Sequence, residues 1–337
     1  MHNYIARRLL YMIPTILGIT IACFVLIQFV PGGPVEEMIA QIRSASAARG
    51  ANPAAAISPS EIENIKKNFG FDQPAHIRYF KWLGGAMVGS LGESYSYNRP
   101  VLEVIVERMP ISLFFGLTSF LLSYAVCIPL GILKARKHKS NFDTVSSIVI
   151  FIGYVIPGYA LGILLIIFFA GGSFLDWFPL RGIVSDNFEL LSFGGKVLDF
   201  LHHMVLPMIC YMVGEFAFLT MLMKNGILEE LKKDYMRTAT LKGMLPRTAL
   251  FRHALKNALI PIATRMSEIF TLVFAGALLI EKVFDIDGMG LLVWNSIVSR
   301  DYNVVMGIIL ISSILTLLGR LFSDILYTMI DPRIRLQ

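Results

Sequence analysis

Few side chains in this sequence could do chemistry, and most of those are charges lodged among apolar residues. Glu215 lies midway along the apolar run Met204–Met223, with no basic residue three or four positions to either side. A carboxylate at membrane depth is costly, so such a group faces a bundle interior or water. The chemistry open to it is to line an aqueous path or to couple an ion to transport. Arg265 and Glu268, three apart, share a helix face, as do Arg320 and Asp324, four apart. A local salt bridge near a helix end is the simpler reading of both pairs, and Glu268 joins Glu215 as a translocation-path candidate. His202 and His203 are adjacent, about 100° apart around a helix, which suits structural roles better than one shared metal. No G-x-x-x-x-G-K-[ST] phosphate loop is present, Gly195-Lys196 failing the spacing. There is also no G-x-S-x-G elbow and no H-E-x-x-H helix.

A second concentration of charge is the stretch YMRTATLKGMLPRTALFRHALKNALIP, Tyr235–Pro261. It carries Arg237, Lys242, Arg247, Arg252, His253 and Lys256 and no acid. The segment Asn225–Leu259 reads as two helices. The first ends at Gly243, a natural C-terminal stop; the second restarts at Pro246, which a first turn tolerates. Leu250, Ala254, Leu255 and Ala258 form an apolar stripe at helical spacing, and Tyr235, Met236, Ala239 and Gly243 line a face of the first helix. Such a pair could bury that surface in lipid, its cations on anionic headgroups, or in a partner protein. Composition leaves both open.

The elements around these residues are apolar. Of the 337 residues 55% are hydrophobic and 16% charged, and mean hydropathy is +0.64. Several runs reach the roughly 20 apolar residues needed to cross a bilayer, without the alternation of a membrane β-barrel. The sequence predicts an all-α integral membrane protein with six spans, near 9–30, 111–133, 144–170, 204–223, 259–283 and 304–330. The first follows Arg7-Arg8 but lacks an A-x-A cleavage site and is read as retained. The domains are then a first transmembrane helix (1–30), an external segment (31–110), a five-helix core (111–330) containing a cytoplasmic loop (224–260), and a tail (331–337).

Charge orients these spans. KARKHKSNFD follows the second span, and residues 224–265 carry nine Lys and Arg against three acids, whereas loops 171–203 and 284–303 are net acidic. Short Lys/Arg-rich loops stay in the cytoplasm, which places both termini and the basic stretch there. The net charge of +6 is accordingly assigned to loops, not to nucleic-acid binding. Within the external segment, SPSEIENIKKNFG reads as a helix capped by Ser58 or Ser60, and the preceding AQIRSASAARGANPAAA as a mobile loop. Cys23, Cys127 and Cys210 lie in apolar runs as small buried residues without metal or redox spacing. No internal repeat is evident, which disfavours carriers built from two similar halves.

Arg237-Thr238-Ala239-x-x-x-Gly243 followed by RHALKNALIP resembles the EAA signature of bacterial ABC-importer permeases, in the version of the dipeptide/oligopeptide permease family. Tyr235, Lys242, Arg252, His253, Ala254, Leu255, Asn257, Ala258 and Pro261 also match that pattern. The resemblance runs nearly the whole chain, through RRLLYMIPTILGI, GFDQP, RYFKWL, GSLGES, LPLRG, LIEKVF, GMGLL and DILYTMIDPRIR. VPGGP, FFAGGSFLDWFPLRG and LTMLMKN are similar to the Yej-type branch, in which Glu215 stands where a small residue is expected.

The resemblance implies the type I ABC-importer architecture in a bacterial inner membrane, with residues 31–110 periplasmic. It implies a non-catalytic subunit that binds no cofactor, ATP and magnesium being held by a partner. The implied partners are a second homologous permease, an ABC ATPase (one fused tandem chain or two chains), a periplasmic solute-binding protein, the lipid bilayer and an oligopeptide or microcin C-like substrate. Tyr235, Arg237, Thr238, Ala239, Lys242, Gly243, Arg252 and His253 would couple to the ATPase. The alternatives are a stand-alone ion-coupled carrier or channel using Glu215, and an intramembrane enzyme, which lacks a nucleophile or metal constellation.

Overall fold

The computed structural model describes residues 2–29, 32–50, 57–68, 70–172, 174–265 and 277–330. Every extended element among them is a helix. In chain order these are α1 (His2–Phe29), α2 (Pro34–Ala48), α3 (Pro59–Asn68), α4 (Ala75–Met87), α5 (Val101–Arg136), α6 (Asn141–Val155), α7 (Gly158–Phe169), α8 (Phe193–Glu230) and α9 (Asp234–Leu241). There follow α10 (Pro246–Ala249), a π turn (Leu250–Ala254), α11 (Leu255–Ala258), α12 (Ile260–Thr264), α13 (Leu278–Phe284), α14 (Met289–Val298) and α15 (Tyr302–Ile330). Stretches within α1, α5, α8 and α15 are long and apolar enough to cross a membrane, and α6 with α7 would make a fifth.

That fifth stretch is not the straight span expected over 144–170. α6 and α7 meet at 99°. Pro157 removes a backbone donor and pushes the residue before it out of the α region, and Ile156 accordingly sits at φ −81°, ψ 118°. The expected span 259–283 is described only at its ends, and Glu268 lies outside the described residues.

Two compact units divide the chain. One comprises residues 6–110 and 292–314. In it the capping of α3 follows the expectation: Ser58 Oγ accepts from Glu61 N at 3.3 Å while the Glu61 carboxylate accepts from Ser58 N at 2.7 Å. This reciprocal capping box holds the Glu61 carboxyl below its usual range, the backbone bond contributing most. The mobile loop expected before it is a helix as far as Ala48, α2. Its alanines are good helix formers, and Pro34 and Glu36-Glu37 suit its first turn. α1 meets α4 through Thr20 and Tyr79 hydroxyls 2.9 Å apart. Asp301 accepts from Ser94 Oγ at 2.5 Å and Ser96 N at 3.0 Å, fixing the loop ahead of α5.

The other unit comprises residues 1–5, 111–291 and 315–337. α8 is its axis and packs against α6, α7, α11, α12 and α13. Close approach depends on small residues: a Cβ on Gly131 of α5 would lie 2.6 Å from Met223 Cβ of α8. The main core gathers Phe115, Met204, Leu206, Cys210, Tyr211 and Phe284. A second, around Met223, Ile227, Leu250, Ala258 and Ile262, underlies the basic stretch.

Candidate functional site

The basic stretch forms two helical arms joined by a tight turn. The first arm is shorter than the sequence suggested, because α8 runs on to Glu230 and the chain turns through Leu231–Lys233 before α9 begins. α9 ends in a complete Schellman motif. Gly243 N donates to Thr240 O at 3.0 Å and Met244 N to Ala239 O at 3.1 Å. Gly243 has φ +86°, a conformation that a Cβ disfavours. The second arm runs from Pro246 to Thr264 with a π turn at Leu250–Ala254 that contains Arg252 and His253. π turns of this kind recur at functional sites.

One carboxylate ties the arms together. Glu230, the last residue of α8, accepts from the Tyr235 hydroxyl in a very short bond, from Lys233 Nζ at 2.6 Å and from Asn257 Nδ2 at 3.3 Å. Asn257 Nδ2 also reaches Tyr235 OH at 3.1 Å. Burial and the Glu230 bond push the Tyr235 phenol up, so it stays a donor, and the same carboxylate raises Lys233. Tyr235 and Asn257 therefore position the loop. Glu230 was missed in the sequence; its signal was an acid placed against an otherwise basic segment.

The apolar stripe is covered by the chain's own residues. Leu250 and Ala258 pack into the α5–α8 core with Met223 and Ile227, and Ala254 joins Met236 and Ala249 in a small cluster of its own. What remains outside is a different set. Arg237, Thr238, Lys242, Gly243, Arg247 and Arg252 are exposed, Ala239, Tyr235 and His253 half-buried. Two leucines beside the turn project outward, Leu241 at 79% and Leu245 at 71% exposure. A Cβ added to Gly243 would meet no described atom within 4 Å. The outer face is thus an apolar pair ringed by cations.

Two neighbouring cations are not part of that face. Lys134 is fully buried and Lys224 nearly so. Both pair with Asp143: Lys224 Nζ lies 2.7 and 2.8 Å from its two oxygens and Lys134 Nζ 3.2 Å from Oδ1. Lys134 Nζ donates further to Ser146 and Ser147 hydroxyls at 2.6 and 2.9 Å.

Of the translocation-path candidates, Glu215 is the one within the described residues. Glu215 of α8 lies 3.6 Å from Arg265, whose guanidinium also stacks on Phe218 at 4.2 Å. Its partner comes from the end of the second arm, beyond the reach of an i±4 search. Asp324 accepts from the Tyr4 hydroxyl at 2.9 Å. The histidines take structural roles, His202 Nε2 2.6 Å from Trp177 O and His203 Nδ1 2.8 Å from Asp199 O. A carboxylate that the sequence reading passed over, Glu281, has no exposed surface. It accepts from Tyr211 OH at 3.0 Å, Ser112 Oγ at 3.1 Å, Leu291 N at 2.9 Å and Ala277 N at 3.3 Å. Donors from α5, α8 and the start of α14, with Ala277 N at the head of its own helix, make it a knot that ties α13 to all three.

Residues 127–336 match the family model described as "Binding-protein-dependent transport system inner membrane component". Residues 1–116 match its N-terminal companion, "Binding-prot-dependent transport system membrane comp, N-term". The chain belongs to this family of inner membrane transport components. Among its relatives, "Peptidoglycan transport system permease protein YejB" of Agrobacterium fabrum is 41% identical over 360 aligned positions, covering 99% of this chain and 98% of the relative. "Inner membrane ABC transporter permease protein YejB" of Escherichia coli O157:H7 is also 41% identical, covering 99% of each. "Oligopeptide transport system permease protein AppB" of Bacillus subtilis is 35% identical, covering 99% of each.

Proposed function

We propose that this chain is a permease subunit of an ATP-driven importer of oligopeptides or peptide-like compounds. Family membership and full-length similarity to permeases named for peptidoglycan and oligopeptide transport support it. As a permease the chain is the path, not the enzyme. ATP and magnesium belong on a partner ATPase. A second permease completes the bundle, and a solute-binding protein delivers substrate to the periplasmic side. In this reading the chain crosses the inner membrane six times with both termini in the cytoplasm, and residues 31–110 face the periplasm.

The observation that carries the coupling role is the division of labour in the loop. Its inner stripe is used up by packing within the chain, which anchors the arms. Its outer tip presents Leu241 and Leu245 with Arg237, Lys242 and Arg247 around a glycine turn. A rigid apolar tip with a basic rim suits a groove with acidic edges on an ATPase, and rigid-body motion of that groove would be transmitted directly to α8. Glu215, engaged with Arg265, gives the ion-coupled alternative no separate support. The test is co-purification and uptake: the chain should bring down an ATPase and take up peptide only with hydrolysable ATP. A chain that transports without any ATPase would overturn the reading.

A further inference from the structure

The unit formed by residues 6–110 and 292–314 contains a cavity of about 290 Å³ between α1, α4 and the start of α15. This is close to the lower end of the ~300–1,000 Å³ typical of small-molecule sites. The coupling role makes no use of it. Three buried polar atoms on its lining have no hydrogen-bond partner among the described residues: Gln73 Oε1, Arg78 Nε and Trp82 Nε1. Buried polar groups are normally satisfied, and each exception calls for a reason. Three on the wall of one cavity have a common one in a ligand.

The chemistry of the wall defines that ligand. Its charged side chains are two cations, Arg78 and Lys81, with no carboxylate among the described lining residues. Arg78 donates through Nη2 to the neutral Gln28 Oε1 at 2.7 Å and lies 4.5 Å from the Phe71 ring centroid. Burial pulls its guanidinium below the usual range, as expected of a desolvated cation lacking a counter-charge. Phe24, Phe71, Tyr95 and Tyr302 supply aromatic surface, and burial together with Asp301 pushes the Tyr95 phenol up to about 12, so it adds no charge. Lys81, the Arg78 guanidinium with its orphan Nε–H, and the orphan Trp82 N–H ask for an anion. The orphan acceptor, Gln73 Oε1, asks for an N–H beside it. The aromatics ask for an apolar body.

We propose that this cavity binds the carboxyl-terminal residue of a short peptide. The carboxylate would rest on Arg78 Nε and Trp82 Nε1 under Lys81, the last amide N–H on Gln73 Oε1, and the terminal side chain against the aromatic wall. A phosphodiester would satisfy the cations, but its own oxygens only accept, so a lipid would have to meet Gln73 with an N–H or O–H from the rest of its headgroup, whereas a peptide carries the amide N–H next to its carboxylate. The peptide class rests on the import reading above; the anion-accepting character of the cavity stands on its own residues.

The test uses the full-length chain in lipid nanodiscs with the subunits that co-purify, without nucleotide, titrated calorimetrically with N-acetylphenylalanine and its carboxamide. The acid should bind at least tenfold more tightly than the amide. Trp82→Phe removes an N–H that has no protein partner, so it should weaken the acid about tenfold, about 1.4 kcal/mol, without lowering the thermal midpoint. Arg78→Lys should weaken it at least as much. Equal binding of acid and amide, or an unchanged affinity in Trp82→Phe, overturns the proposal. So does a phospholipid seen by native mass spectrometry in the parent and released by Trp82→Phe, which would make this a headgroup site. Failure of ATP-dependent uptake with acid binding intact would sink the import reading and leave the cavity's role standing.

Discussion

Lys134 and Lys224 on one side, and Arg237, Lys242 and Arg247 on the other, look alike in the sequence: cations in the basic segments between apolar runs. In the structure they are opposites. The first two are buried around one carboxylate, Asp143, held by charge and by the Ser146 and Ser147 hydroxyls. The others stand in the open around Leu241 and Leu245. Basic residues therefore serve two purposes within one region. Buried pairs lock α5, α6 and α8 to each other, and exposed ones dress a surface kept free for something else. Buried pairs are costly to break from one side only, whereas exposed cations cost the fold little to remove.

Breaking the buried cluster should have the largest effect. Asp143→Ala strands two lysines in the core and should cost about 3–5 kcal/mol, read as loss of monodisperse protein or a strongly lowered midpoint in detergent. Replacing all three members with apolar residues of similar volume (Lys134→Met, Asp143→Leu, Lys224→Met) should recover much of that loss; if it does not, the charges matter for more than stability. Next is the hub between the two regions. Glu230→Ala removes the tie between the arms and should cost about 1.5–3 kcal/mol in all, and hydrogen exchange across residues 234–258 should rise while the spans stay protected. A smaller effect is expected at the turn. Gly243→Asn keeps a residue that tolerates positive φ and should preserve folding and uptake, while Gly243→Trp should fold and insert but uncouple hydrolysis from transport. Normal uptake by Gly243→Trp would rule out a tight docking role at the turn. Smallest of all, Arg237→Ala with Lys242→Ala should change stability by no more than about 0.5 kcal/mol and show itself only as salt-sensitive ATPase association.

The helical class and the two-armed loop were legible because their signals are local. Gly243 and Pro246 punctuate the chain where the arms meet, and the spacing of Leu250, Ala254 and Ala258 does mark an inward face. What covers that face was not legible, because Met223 and Ile227 lie on one continuous helix, α8, which the sequence reading divided into a span ending at Met223 and a separate helix from Asn225. The break between α6 and α7 was written in Pro157-Gly158, but continuous hydropathy hid it. The charge clusters escaped for a plainer reason. Asp143 and Lys224 are 81 positions apart, Glu281 lies 70 from Tyr211 and 169 from Ser112, and no periodicity links residues at such distances. Glu215 looked solitary because only its own helix was searched.

The central claim is that the leucine-tipped turn, not the buried stripe, meets the ATPase. The most direct measurement is the affinity of the purified ATPase for the chain in nanodiscs, parent against Leu241→Asp/Leu245→Asp. Both side chains are exposed, so the double variant should fold and insert normally. The account predicts at least a tenfold loss of ATPase binding together with loss of ATP-driven uptake. Undiminished binding and uptake in a correctly folded variant would contradict it.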